Sequence, residues 1–227
     1  MPVEWWLRRV QHVMAEMTNY GVLVPFLIGL WYWRRLDAAA RIIVLYFGFW
    51  SVEGFVNLWS VHVLRTNIYL YHVTVLVETW LLGWAYYVVL RSEFIRRLML
   101  PLGLAFTVVC LLDAFVWSGL SHFNTYARTV QVVLLLALIL LYFEQWLQDL
   151  RVQPWADFMF VVSVAQAIYY TGSFMPYLLQ GTTQNRAVSD AISGMIIATT
   201  YLITMMMMTW ALWREARSPA NDMSRLA

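Results

Sequence analysis

The 227-residue chain is 62% hydrophobic and 12% charged, with a net charge of +2; a soluble domain carries roughly 25% charged residues. A hydrocarbon layer of about 30 Å takes about 20 apolar residues per helical crossing, so the length accommodates about seven crossings with short loops, and no soluble catalytic domain fits beside them. All fifteen basic residues are arginines, and without a lysine amine to condense with an aldehyde a retinal Schiff base is excluded; no cofactor is expected.

Residues 1–14 hold Trp5, Trp6, Arg8 and Arg9 but lack the apolar run and small-residue cleavage site of a signal peptide. They read as an interfacial segment leading into the first of seven transmembrane helices, expected at 15–33, 39–60, 68–90, 97–118, 127–147, 157–179 and 188–213, each an apolar run bounded by charge. Pro25 and Pro176 fall inside the first and sixth runs, where neighbouring helices can satisfy the freed backbone groups. Residues 214–227 form a short tail. The expectation is an all-α polytopic membrane bundle, one domain over 1–227.

Arginine placement orients the bundle, because basic residues concentrate in cytoplasmic loops. Arg34, Arg35, Arg41, Arg91, Arg96, Arg97, Arg151, Arg214, Arg217 and Arg225 fall on one side, and Arg8, Arg9, Arg65, Arg128 and Arg186 on the other. Ten against five puts the N-terminus outside and the C-terminal tail in the cytoplasm. Trp31, Trp33, Trp59, Trp117, Trp146, Trp155 and Trp213 fall near segment ends, as interfacial anchors do. A three-plus-one-plus-three parallel repeat is suggested by Gly54, Asn67 and His72 in one half matching Gly172, Asn185 and Asp190 at the same spacing in the other.

Ionisable side chains inside a bilayer are costly and mark candidate functional sites. On the third segment Asn67, Tyr71, Thr74 and Glu78 recur at intervals of four, three and four, one helical face turned toward protein, with His72 on another. The second carries Glu53, Asn57 and Ser60; the fourth Asp113; the sixth Gln166, Tyr170, Ser173 and Tyr177; the seventh Asp190, Ser193 and Thr200. With the orientation above, these groups gather in the outer half. The expected site is an outward-facing polar cavity built from Glu53, Asn57, Asn67, Tyr71, His72, Glu78, Asp113, Tyr170, Ser173 and Asp190. Interhelical hydrogen bonds that merely hold the bundle are the competing account of Asn57, Asn67, Thr74 and Ser193.

Other chemistries find little support. His12, His62, His72 and His122 show no paired ligand spacing, so no metal site is expected. No Gly-rich phosphate loop is present, the single Cys110 lies in an apolar run as a core residue would, and Met205 to Met208 read as flexible packing.

The block TNIYLYHVTVLVE, with Glu53 upstream and Asn67, Leu70, Tyr71, His72 and Glu78 in the pattern N-x-x-L-Y-H-x5-E, resembles a group of small seven-helix bacterial membrane proteins. The resemblance implies a bacterial inner-membrane location and adds weight to Glu53, His72 and Glu78; it brings no activity. The expected function is binding or translocation of a small molecule, ion or proton, as in a transporter or sensor. The alternatives are an accessory subunit of a larger membrane complex, and, third, an intramembrane lipid or isoprenoid enzyme using Glu53 and Glu78 to handle protons. Expected partners are membrane lipids, a small-molecule ligand and another membrane protein, and no nucleic acid.

Overall fold

Proline and capping side chains decide where the helices begin and break. The computed structural model describes residues 3–149, 153–179 and 186–218, and within these the chain is all-α. Helix α1 (Val3–Gly21) hands over to α2 (Leu23–Trp31) through Val22, which keeps right-handed helical angles. Pro25 falls in the first turn of α2, where its missing N–H is no loss. The helix therefore starts twelve residues earlier than the expected 15, and most of the stretch expected as an interfacial lead-in, from Val3 on, is already helical.

Helix α3 (Ala38–Val63) starts where the Asp37 carboxylate accepts from the Ala40 amide at 2.7 Å, a capping bond that satisfies an otherwise orphaned donor. Asp37 lies in the connection ahead of the helix; burial pushes its carboxyl above the usual range, the Ala40 amide opposes this, and the nearby Asp157 adds to the rise. After Arg65, in the left-handed region at φ 55°, the chain enters α4 (Ile68–Val89). Ser92 caps α5 (Glu93–Leu112), which tolerates Pro101 and ends in a π-helical turn over Asp113–Trp117. Then come α6 (Thr125–Asp149), α7 (Phe158–Leu179) and α8 (Arg186–Glu215).

Among the described residues four stretches are long and apolar enough to cross a membrane: Ala38–Val63, Glu93–Trp117, Thr125–Gln148 and Ile192–Glu215. These identify an integral membrane protein. Helix α4, 22 residues long, carries His72 and Glu78 buried inside the bundle, while its Tyr71, Trp80, Trp84 and Tyr87 are exposed. The surface fits lipid: Leu27, Leu104, Val108, Val133 and Leu140 all point outward. Of the expected anchors, Trp31, Trp59, Trp117, Trp155 and Trp213 are exposed, while Trp33 and Trp146 are partly covered.

The core is built mainly from five helices, with Phe47 of α3, Tyr86 of α4, Leu135 and Ile139 of α6, Tyr170 of α7 and Met208 of α8 fully enclosed. Small residues let helices approach closely, as is usual where lipid supplies no hydrophobic drive. A Cβ on Gly29 of α2 would sit 2.2 Å from a methyl of Val44 in α3, and one on Gly172 of α7 would sit 2.2 Å from the Thr200 methyl of α8. Gly54, the expected repeat counterpart of Gly172, meets only the Asn19 carbonyl at 3.8 Å. The two glycines therefore do different jobs. Asn185 lies outside the described residues, and the side chain of Asp190 does too; its backbone belongs to α8.

Candidate functional site: a saturated ion pair at the meeting of four helices

Glu78 stands midway along α4 with no solvent exposure. An ionised carboxylate can accept about four hydrogen bonds, and each of its oxygens here has two donors. Oε1 accepts from Tyr46 Oη of α3 at 3.3 Å and Tyr170 Oη of α7 at 3.0 Å. Oε2 accepts from Arg128 Nη1 at 3.1 Å and Gln131 Nε2 at 2.9 Å, both on α6. Four helices thus meet on one side chain.

Arg128 is equally engaged. Its Nη1 also donates to Gln131 Oε1 at 2.7 Å and its Nη2 to Tyr169 Oη at 3.1 Å. The guanidinium lies 5.6 and 5.7 Å from the Tyr169 and Tyr170 ring centroids, within cation–π range. Its side chain is 18% exposed against 0% for Glu78. Gln131 closes the circuit by donating to the Val75 carbonyl as well, at 3.3 Å. Four donors converge on the carboxylate, one of them cationic, the surroundings a charge needs in an apolar medium.

The line on α3 is longer than Glu53, Asn57 and Ser60. Tyr46 and Trp50 continue it inward, so residues 46, 50, 53, 57 and 60 recur at four, three, four and three, one stripe down the helix. Trp50 packs edge-on to Tyr46 and to Tyr201 of α8, and Tyr201 to Tyr169, an aromatic shell round the pair. Within the buried interior Trp50 Nε1 and Gln166 Oε1 have no hydrogen-bond partner. Glu53 is half-buried and takes no hydrogen bond among the described residues.

Several of the other expected residues make hydrogen bonds at the end of the bundle shared by the α3–α4 turn and the start of α6. Asn67 Nδ2 donates to Asn57 Oδ1 at 2.8 Å, and Ser60 and Tyr69 share a hydroxyl bond, both closing the α3–α4 hairpin. Tyr71 is exposed and stacks edge-on against Phe123, so the stripe expected to face protein turns outward at this point. His72 is buried, its Nε2 3.2 Å from the His122 carbonyl and its Nδ1 without a partner. Ser173 bonds back to the Tyr170 carbonyl at 3.2 Å.

Asp113 is a cap. Its Oδ1 accepts from Ser118 Oγ and its Oδ2 from the Ala127 amide at 2.9 Å, in the first turn of α6, while its carbonyl accepts from the Ser118 and Gly119 amides. A carboxylate at a helix N-terminus satisfies an orphan donor and complements the dipole. Asp113→Ala is expected to lower stability by about 1–2 kcal/mol, with Asp113→Asn retaining much of the difference, read by thermal unfolding in detergent.

Sequence reasoning missed Arg128, Gln131, Tyr46 and Tyr169. Arg128 belongs to the core and not to the outer flanking residues, so the asymmetry becomes ten against four. The available signal was Arg128 and Gln131 three apart on one helical face. Among the described residues no group of three or more His, Cys, Asp or Glu could hold a metal ion.

No protein-family model, curated protein or solved structure matches the chain.

Proposed function

We propose that the protein binds and moves, or senses, a small polar solute or a proton along the α3 stripe between the outer end of the bundle and the Glu78–Arg128 pair. In this reading seven crossings lie in a bacterial inner membrane, with the N-terminus outside and the arginine-rich ends in the cytoplasm, the ten-to-four arginine asymmetry supporting that direction. The observation that carries the reading is the stripe itself: Ser60, Asn57, Glu53, Trp50 and Tyr46 lead residue by residue to a buried carboxylate. Apolar side chains would pack such a core at lower cost, since a buried ion pair often stabilises less than its hydrophobic replacement. Polar groups kept there favour function over cohesion.

Glu78 with four donors is the resting, closed arrangement, and Trp50 Nε1 and Gln166 Oε1 are the donor and acceptor left over for a solute beside it. A passing group would act by competing for the Tyr46 and Tyr170 hydroxyls. The test is reconstitution into proteoliposomes carrying a trapped pH dye, together with a thermal-shift screen of small polar solutes. Wild-type protein is expected to dissipate an imposed pH gradient or to be stabilised by a solute, and Glu78→Gln to abolish that response while eluting as the same folded species. Wild-type protein inert in both assays, or Glu78→Gln protein as active as wild type, would sink the reading.

The completeness of the Glu78 network favours a second reading, an accessory subunit of a membrane complex whose polar groups only bind the helices together. Gentle purification from native membranes would then bring the same partners in fixed stoichiometry. An intramembrane lipid enzyme is the weaker third, because the two carboxylates it would use are not hydrogen-bonded together: the partners of Glu78 are Tyr46, Tyr170, Arg128 and Gln131.

A further inference from the structure

Away from the ion pair, α4, α5 and α6 diverge around a groove of about 740 Å³ with an almost wholly apolar lining, within the 300–1,000 Å³ range of small-molecule sites. Its α4 wall runs from Thr79 to Tyr87 and its α5 wall from Phe94 to Gly103. At 1.5 Å per residue these walls are about 12–14 Å long, close to half of the roughly 30 Å hydrocarbon layer. The groove is thus one leaflet deep.

Its two ends differ. At the deep end Trp80 lays its ring on Gly103 and donates Nε1 to Thr107 Oγ1 at 3.1 Å, bridging α4 to α5. The other end lies at the α4–α5 turn, with Arg91, Arg96 and Arg97. Arg97 pairs with Glu93 at 3.3 Å. Arg96 makes no ion pair among the described residues; it rests on the ring of Tyr87, a groove residue, at 4.6 Å, and its buried Nε has no hydrogen-bond partner. Glu144 lies one turn beyond the groove residue Leu141 on α6, and Asp157 is engaged by Tyr142 of α6 at 2.8 Å; neither pairs with Arg96 among the described residues. In mid-groove, a Cβ on Gly83 would meet nothing within 4 Å: the floor is open there.

We propose that this groove is a binding site for one membrane phospholipid of anionic headgroup, its acyl chain lying along Gly83 and its phosphate held by Arg96. An apolar trough of leaflet depth selects a chain, and an uncommitted guanidinium at its mouth selects a negative charge, the combination by which basic pockets between transmembrane helices recognise acidic lipids. This inference rests on the chain being a membrane protein and is independent of the role given to Glu78.

The experiment uses the full-length protein in detergent, titrated with phosphatidylglycerol or phosphatidylcholine of identical chains, with retained lipid read by native mass spectrometry and stability by thermal shift; inorganic phosphate alone is the third probe. Wild-type protein is expected to prefer phosphatidylglycerol by about fivefold, the effect of one basic residue on a headgroup of net negative charge, which phosphatidylcholine lacks, and to ignore inorganic phosphate. Arg96→Gln should abolish the preference while still binding lipid, and Gly83→Phe should lose both lipids by filling the trough. Gly83→Ala, whose methyl fits the open floor, should bind as wild type and report that the position tolerates a side chain. Equal retention of both lipids by wild type and Arg96→Gln, meaning annular lipid only, overturns the proposal, as does undiminished binding by Gly83→Phe or a response to phosphate without a chain. Should Gly83→Phe fail to fold, the Arg96→Gln comparison decides alone.

Discussion

Arg128→Met is expected to destabilise the protein by about 3–5 kcal/mol, because it leaves the fully buried Glu78 carboxyl without its cation. Glu78→Gln is expected to cost much less. Arg128 keeps Tyr169, the faces of two tyrosine rings and 18% exposure of its side chain, whereas Glu78 has no route to water. The decisive comparison is the double variant. In Arg128→Met with Glu78→Gln the buried charge is gone, the amide oxygen still accepts from Tyr46 and Tyr170, and Gln131 Oε1, released by the arginine, can accept from the new amide. More than half of the single-variant loss should return. The measurement is a double-mutant cycle by denaturant-driven unfolding in micelles; a double variant as unstable as the sum of its parts would show that the pair is not the unit described.

Gly29→Leu is the second large effect, expected at about 3 kcal/mol. A side chain there would run into Val44, whose two γ-carbons lie 2.2 and 2.8 Å and whose Cβ lies 3.0 Å from the position a Cβ would take. Val44 has no exposure and, being β-branched, has little rotamer freedom with which to yield. Overpacking of this kind costs about 1–3 kcal/mol, and a leucine reaches further into the seam than a methyl would. It exceeds the gain of about 1 kcal/mol from replacing a helical glycine. Adding Val44→Ala should recover at least half of the loss, and thermal unfolding of the single and double variants checks it. No recovery would mean that α2 and α3 are not seated through these two residues.

Much of this was legible in the chain because lipid makes charge conspicuous. Glu78 could be picked out as a carboxylate in an apolar run, and Tyr170 and Gln166 as members of one helical stripe; all three are buried at the centre. Arg128 escaped because a charged residue at the edge of an apolar run looks the same whether it reaches headgroups or folds inward. What settles its direction is the start of α6 at Thr125, and that start is fixed by Asp113 from a different element. Tyr46 escaped for a related reason: in a chain with thirteen tyrosines, one more reads as part of the interfacial belt. Asp113 was noticed correctly as an expensive carboxylate, and its use as a remote cap is a tertiary fact with no local pattern. The early helix break at Gly21 and Val22 was equally obscure, since Pro25 fits the interior of one long run as readily as the first turn of a second helix.

Asp113 also bears on how the molecule can vary. The amide it holds, that of Ala127, immediately precedes Arg128, and each residue of slip in a helix turns a side chain through about 100°. Because α6 is anchored by that carboxylate instead of by the length of the connection before it, residues 118–124 are relieved of the duty of aiming the guanidinium. The connection can drift in sequence and length while the angular phase of the central charge stays where it is.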